Sequence, residues 1–201
     1  MRIKNKYYLL RHGEALSNVK NIISCWPEKI SMPLTEKGKK QIKKSAKILK
    51  NKKIDLIFSS DILRTRQTAE MVSKELEISP KYDKRLREYD VGFFNGKSIE
   101  EFRTFFKNER ERFIKKPDKG ETYTELSERI RGFIEEIEKK YFNKNILIIS
   151  HKIPLTFFEG IIKGFNGENI LKKCPKYNRI KKGEIRKLID ANIRMNANNT
   201  N

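Results

Sequence analysis

Apolar residues follow two rhythms along this chain. Short runs at Tyr7-Tyr8-Leu9-Leu10, Ile54-Asp55-Leu56-Ile57-Phe58 and Ile146-Leu147-Ile148-Ile149 are bounded by polar residues and read as buried strands. Elsewhere the spacing is helical. Ile42, Ala46 and Leu49 share one helix face behind a Thr35 cap, and Ala69, Met71, Val72 and Leu76 mark a helix opened by Ser60 or Asp61. Ser98-Ile99-Glu100-Glu101 and Thr122-Tyr123-Thr124-Glu125 have the form of capping boxes. The first starts a helix bearing Phe102, Phe105 and Phe106, a stripe read as core or lid packing, which ends before Pro117. The second starts the clearest helix, with Leu126, Ile130, Phe133, Ile134, Ile137 and Tyr141 on its apolar face. Pro154 suits the first turn of a last helix carrying Leu155, Phe158, Ile161 and Ile162, which Gly164 stops. Residues 84–97 lack a helical stripe and read as a loop, and residues 177–189 are expected to return as strands.

Strands alternating with helices predict an α/β protein: a three-layer α/β/α sandwich with a mainly parallel central sheet. Length and composition support one domain. The 201 residues are 37% hydrophobic and 36% charged, which suits a globular core rather than disorder. We expect a single domain over residues 1–190 with a helical lid insertion near 93–118, and a frayed Asn-rich tail at 191–201.

Forty-six Lys and Arg against 26 Asp and Glu give a net charge of +20, which reads first as a solvated basic surface. No zinc-finger spacing or RNA-recognition signature accompanies it, so nucleic acid is not an expected partner. Cys25 and Cys174 match no CxxC pattern, which argues for reduced thiols and against a metal site. No run approaches the length of a membrane span, and the apolar core near the N-terminus is too short for a signal peptide, so a cytoplasmic location is expected. Glycine-rich phosphate loops and internal repeats are absent. A homodimer is compatible with the sequence, which holds nothing that fixes oligomeric state.

The candidate chemistry lies at the strand ends. The chain has only two histidines, His12 and His151, and each directly follows the end of a strand-like run, where α/β proteins bind ligands. Arg11 precedes His12, and Arg64 falls in the first turn of the helix after the 54–58 strand. Two guanidiniums and two imidazoles at one sheet edge make a cationic pocket suited to a phosphoryl group.

Taken together, Arg11-His12-Gly13-Glu14, Asn18, Pro33-Leu34-Thr35-Glu36-Lys37-Gly38, Ser59-Ser60-Asp61 with Arg64-Thr65-Arg66-Gln67-Thr68-Ala69, Leu86-Arg87-Glu88, Gly120-Glu121-Thr122 and Ser150-His151 closely resemble the histidine phosphatase superfamily. That superfamily includes the cofactor-dependent phosphoglycerate mutases. The similarity runs from about residue 6 to residue 180 and implies a phosphoglycerate mutase-like fold. It also implies that His12 accepts the phosphoryl group as a phosphohistidine while Arg11, Arg64 and His151 hold the phosphate oxygens. Asn18 and Ser24 match further phosphate-contact positions. Glu88 matches the general acid, a job that needs a neutral carboxyl and is favoured by partial burial beside a dianionic phosphate; Asp90 is the nearest rival. Glu14 and Ser150 are expected to brace the histidines, Gly13 to allow a tight turn beneath the phosphate, and Gly38 to allow close helix packing.

Departures from the mutase pattern favour hydrolysis. Glu88 is followed by Tyr89-Asp90-Val91-Gly92 where mutases carry an arginine and a tyrosine, and the stretch up to Gly120 is too short for their insertion with paired arginines. In Asn21-Ile22-Ile23-Ser24-Cys25-Trp26, Ile22 stands where the family has arginine and Cys25 where it has glycine. In Gly92-Phe93-Phe94-Asn95-Gly96, Phe94 and Asn95 stand for a tryptophan and a glutamate. The expected activity is therefore metal-independent and cofactor-free hydrolysis of a small phosphorylated metabolite. A phosphoglycerate mutase is the alternative, and a non-catalytic polyanion-binding module comes third.

Overall fold

The computed structural model describes residues 1–175 and 178–188. Five strands form one sheet in the order β3-β2-β4-β1-β5: β1 (Lys6–Arg11), β2 (Leu56–Ser59), β3 (Pro80–Tyr82), β4 (Asn145–Ser150) and β5 (Ile185–Lys187). All pairings are parallel except that of β5 with β1, so the sheet is mainly parallel with one antiparallel edge. The expected return of strands over 177–189 reduces to β5 alone among the described residues. The tail at 191–201 lies outside them.

Helices cover both faces, which is why the strands are continuously apolar. Tyr8 and Leu10 of β1 and Leu147 and Ile149 of β4 pack with Ile42, Ala46 and Leu49 of α2 (Glu36–Lys50) and Ala69 and Val72 of α3 (Leu63–Leu76). The alternate residues Tyr7, Leu9, Ile146 and Ile148 pack with Phe133 and Ile134 of α5 (Tyr123–Lys140) and Phe157 and Phe158 of α6 (Lys152–Ile162). Side chains thus alternate between two cores on either side of one sheet, the three-layer sandwich expected from the sequence. Two short helices, α1 (Leu16–Val19) and α4 (Ile99–Thr104), lie in the loops above the carboxyl ends of the strands, and α7 (Asn169–Lys173) follows α6.

Thr35, Ser98 and Thr122 each accept a bond from the backbone N–H three residues on, so α2, α4 and α5 start where their cap residues stand. α3 does not. Neither Ser60 nor Asp61 caps it: Ile62 occupies the N-cap position without a side-chain bond, and the Asp61 carboxylate is held by Arg87 at 2.7 and 2.5 Å. α4 is also shorter than the aromatic stripe suggests. Asn108 takes bonds from the N–H groups of Arg110 and Glu111 and opens a separate 3-10 helix, Glu109–Phe113. Phe102 and Phe106 are buried in an edge-to-face contact at 5.3 Å, which is core packing.

Gly13 and Gly38 mark one close approach. A Cβ on Gly38 would lie 2.0 Å from the carbonyl oxygen of Glu14, and one on Gly13 would lie 2.5 Å from that of Gly38. Gly13 has no left-handed backbone; both glycines let the start of α2 press onto the loop after His12.

Candidate active site

Parallel pairing brings the two histidines together. Arg11 at the end of β1 is in register with Ser150 at the end of β4, so His12 and His151 emerge side by side, ring centroids 5.2 Å apart. The His12 backbone N–H donates to the Ser150 carbonyl at 3.2 Å. On the other flank, β2 pairs with β4 up to Ser59, and α3 begins four residues later with Arg64 in its first turn. The Arg64 Nε donates to His12 Nε2 at 3.2 Å, and its other nitrogens reach the hydroxyl and carbonyl of Ser24 at 3.3 and 2.9 Å. His12, Arg11, Asn18, Ser24, Arg64 and Glu88 line one cleft of about 570 Å³. His151, wholly buried, is adjacent to His12.

The hydrogen bonds set the tautomer of His12. His12 Nδ1 lies 2.7 Å from the Gly13 carbonyl, an acceptor only, so that nitrogen carries the proton and Nε2 keeps its lone pair. His151 Nε2 pairs with the Ser60 hydroxyl at 2.9 Å, and its Nδ1 has no protein partner. Burial, with Arg64 and Arg11 next in weight, holds the His12 pKa well below the usual histidine range. Burial and Arg64 do the same for His151. Both rings are therefore neutral at pH 7, and His12 Nε2 is available as a nucleophile. Burial also lowers the pKa of Arg11 and Arg64, yet a guanidinium starts so high that both stay cationic.

A pH dependence follows from these two side chains, the only histidines in the chain. Unfolded, each takes up a proton near pH 6.5, while the folded protein holds both neutral to well below that. The unfolded state then binds more protons, so stability present above about pH 6.5 is lost as the pH falls through the unfolded value. The urea midpoint is expected to drop between pH 7.5 and 5.5, above the range where unfolded carboxylates titrate. A flat midpoint over that interval would contradict neutral burial of the pair.

The loop bearing Glu88 is clamped from three sides. Ser150 donates its hydroxyl to the Leu86 carbonyl at 2.6 Å. Arg129 donates to the carbonyls of Arg87 and Glu88 at 3.0 and 3.3 Å and pairs with Glu121 at 2.6 Å, while Glu121 also accepts from the Asp90 N–H at 2.9 Å. Asp90 is itself turned into the loop, where it accepts from the Gly92 N–H at 2.9 Å and lies 3.6 Å from the Cys25 sulfur. Glu88, half-buried, is the carboxylate of this pair that lines the cleft. Burial pushes the Cys25 thiol up to about 12, so it is no nucleophile.

Two expected braces differ from the sequence reading. Glu14 pairs with Lys37 at 3.3 Å and Lys182 at 3.6 Å and accepts from the Thr35 hydroxyl, which ties the loop to the start of α2 rather than to His12. Ser150 holds the Glu88 loop rather than His151. The groups that touch the imidazoles are the Gly13 carbonyl, Arg64 and the Ser60 hydroxyl. Asn18 accepts from the Ala15 N–H through Oδ1 at 3.1 Å, which leaves its amide N–H groups to donate into the cleft. Lys152, Arg112 and Arg179 also line the cleft, and the motifs do not include them. Among the described residues no His, Cys, Asp and Glu cluster is arranged to hold a metal, and no helix is long and apolar enough to cross a membrane.

The chain is similar to known proteins over most of its length. The chain is 31% identical over 162 residues to a probable phosphoglycerate mutase GpmB of Escherichia coli O1:K1, spanning 78% of this chain and 74% of that protein. It is 29% identical over 155 residues to phosphoserine phosphatase 1 of Hydrogenobacter thermophilus, spanning 75% of this chain and 72% of that protein. Among solved structures, YhfR of Bacillus stearothermophilus matches with a TM-score of 0.78 at 25% identity, over 91% of this chain and 90% of that one. Residues 7–172 match the histidine phosphatase superfamily, branch 1, and the chain belongs to that superfamily.

Proposed function

We propose that this chain is a metal-independent phosphomonoesterase acting on small phosphorylated molecules through a phosphohistidine on His12. The observation that carries the reading is the state of His12 Nε2: a neutral imidazole nitrogen that accepts from the Arg64 guanidinium, in a cleft that also holds Arg11 and Glu88. In the first step Nε2 attacks phosphorus in line, the P–O bond to the leaving group breaks, and the Glu88 carboxyl protonates the departing oxygen. Arg11, Arg64 and His151, through its unpartnered Nδ1, take up the charge on the phosphoryl oxygens as it develops. In the second step the Glu88 carboxylate accepts a proton from water, the water oxygen bonds to phosphorus, and the P–N bond breaks to return His12. The segment 93–118 acts as a lid over this site, with Phe102 and Phe106 rooting it in the core within the single domain at 1–190. Cytoplasmic residence goes with this reading, since both cysteines are free thiols.

Ile22 favours hydrolysis over mutase chemistry. It lines the cleft at the position where the family carries arginine, so the site has an apolar wall where a retained intermediate would need a grip. The test is a panel of phosphoesters, including an aryl phosphate, assayed in the presence of a metal chelator. Phosphate release undiminished by the chelator is the expected result. Interconversion of 3- and 2-phosphoglycerate that outruns phosphate release, when primed with 2,3-bisphosphoglycerate, would overturn it in favour of the mutase.

A further inference from the structure

The cleft holds more positive charge than one phosphoryl group can use. Seven arginine and lysine side chains line it against two carboxylates, Glu88 and Glu109, so a single phosphomonoester dianion leaves it net positive. Two of the surplus cations are already engaged. Arg103 pairs with Glu100 at 3.6 Å, and Arg112 lies 4.7 Å from the Phe102 ring and 5.0 Å from that of Phe106 while donating to the Tyr123 hydroxyl.

Lys152 and Arg179 differ. Lys152 is the first residue of α6, immediately after His151, and its ammonium makes no hydrogen bond or ion pair among the described residues. Arg179 is 7% exposed; it pairs with Glu109 at 2.9 Å through one nitrogen, while its Nε is buried without a partner. The next residue, Ile180, accepts through its carbonyl from Arg11 at 3.3 Å, which fixes this segment beside the phosphate-binding guanidinium. Burial lowers the Lys152 pKa, and Arg11 and Arg179 act in the same direction, so this cation stands in a positive field that Glu88 and Glu109 offset only in part. A second anion at this point would relieve that repulsion and give a partner to the Lys152 ammonium and to the Arg179 Nε.

We infer that Lys152 and Arg179 form a second anion subsite on the Arg11 side of the cleft, and that the preferred substrates carry an anionic group, carboxylate or phosphate, besides the phosphoryl group transferred. The subsite rests on the phosphomonoesterase reading and sharpens it to a substrate class. Lys152 would act in binding, with its effect chiefly on KM, and not on the reacting atoms.

Two matched pairs of compounds test it. 3-Phosphoglycerate differs from glycerol 3-phosphate by a carboxylate, and fructose 1,6-bisphosphate from fructose 6-phosphate by a second phosphate, so the arms also separate the two kinds of anion. The doubly anionic member of at least one pair is expected to be preferred in kcat/KM by roughly tenfold or more, the scale of one charge-assisted contact. Lys152→Met should shrink that preference through KM, and Lys152→Arg should retain it. A smaller preference in both pairs overturns the subsite, as does a Lys152→Met variant that lowers both members of a pair equally, which would assign the lysine to the transferred phosphate. Calorimetric binding of the same four compounds to the His12→Ala protein reads the subsite without turnover. Selective binding with no hydrolysis by the parent protein would sink the phosphatase reading and leave the subsite standing, whereas hydrolysis without selectivity would do the reverse.

Discussion

His12→Ala is expected to lower kcat/KM at least about a thousandfold for every phosphomonoester the protein hydrolyses. The residue supplies the neutral ring nitrogen that accepts from the Arg64 guanidinium in the cleft, and removing it takes away the group on which the covalent intermediate would form. The neighbouring His151 cannot take over. Its Nε2 is engaged by the Ser60 hydroxyl. The loss should fall on kcat with the circular dichroism spectrum unchanged, because the sheet and both cores are built from other residues. Activity within tenfold of the parent would end the phosphohistidine account.

Glu88→Gln is expected to show an effect that depends on the leaving group. Glutamine keeps the size of the side chain and can still accept the bond that Glu88 Oε1 takes from the Tyr89 N–H at 3.0 Å, but it has no proton to give. Alkyl phosphates leave as poorly stabilised alkoxides and need that proton, so their kcat should fall by roughly a hundredfold to a thousandfold. An aryl phosphate with an acidic phenol as leaving group should lose about tenfold or less in the phosphoryl-transfer step. Equal losses for both classes would remove Glu88 from the role of general acid. Asp90 would not inherit it, since its carboxylate is spent on the Gly92 N–H inside the loop.

Much of this site was legible in the sequence because parallel strands convert local pattern into spatial neighbourhood. Runs that end at Arg11 and Ser150 must deliver the next side chains to one sheet edge, and the register of β1 with β4 places His12 and His151 there. Helix starts were legible at Thr35, Ser98 and Thr122, where the cap residue has no competing task. The start of α3 was not, because Ser60 is turned to His151 and Asp61 to Arg87, so the side chains that would cap the helix serve the site instead. The end of α4 was hidden by the aromatic stripe, although Asn108 followed three residues later by Glu111 is itself a readable start signal for the next turn. Glu14 and Ser150 sit in the right motifs and brace different partners from those expected, since hydrogen-bond direction depends on loop geometry that spacing does not encode. Lys152 and Arg179 escaped for a related reason. Arg179 reaches the cleft on the segment that leads back to β5, and no local pattern marks that return as part of the site.

The central claim is a covalent bond between phosphorus and His12, and trapping that bond tests it most directly. The protein would be mixed with excess aryl phosphate, quenched within the first turnovers under alkaline denaturing conditions that preserve phosphohistidine, digested and examined by mass spectrometry. A single phosphoryl group on the peptide containing His12, absent from the His12→Ala protein and discharged when turnover is allowed to finish, is the predicted result. Rapid turnover with no phosphopeptide at any quench time, or the phosphoryl group on a residue other than His12, would contradict it.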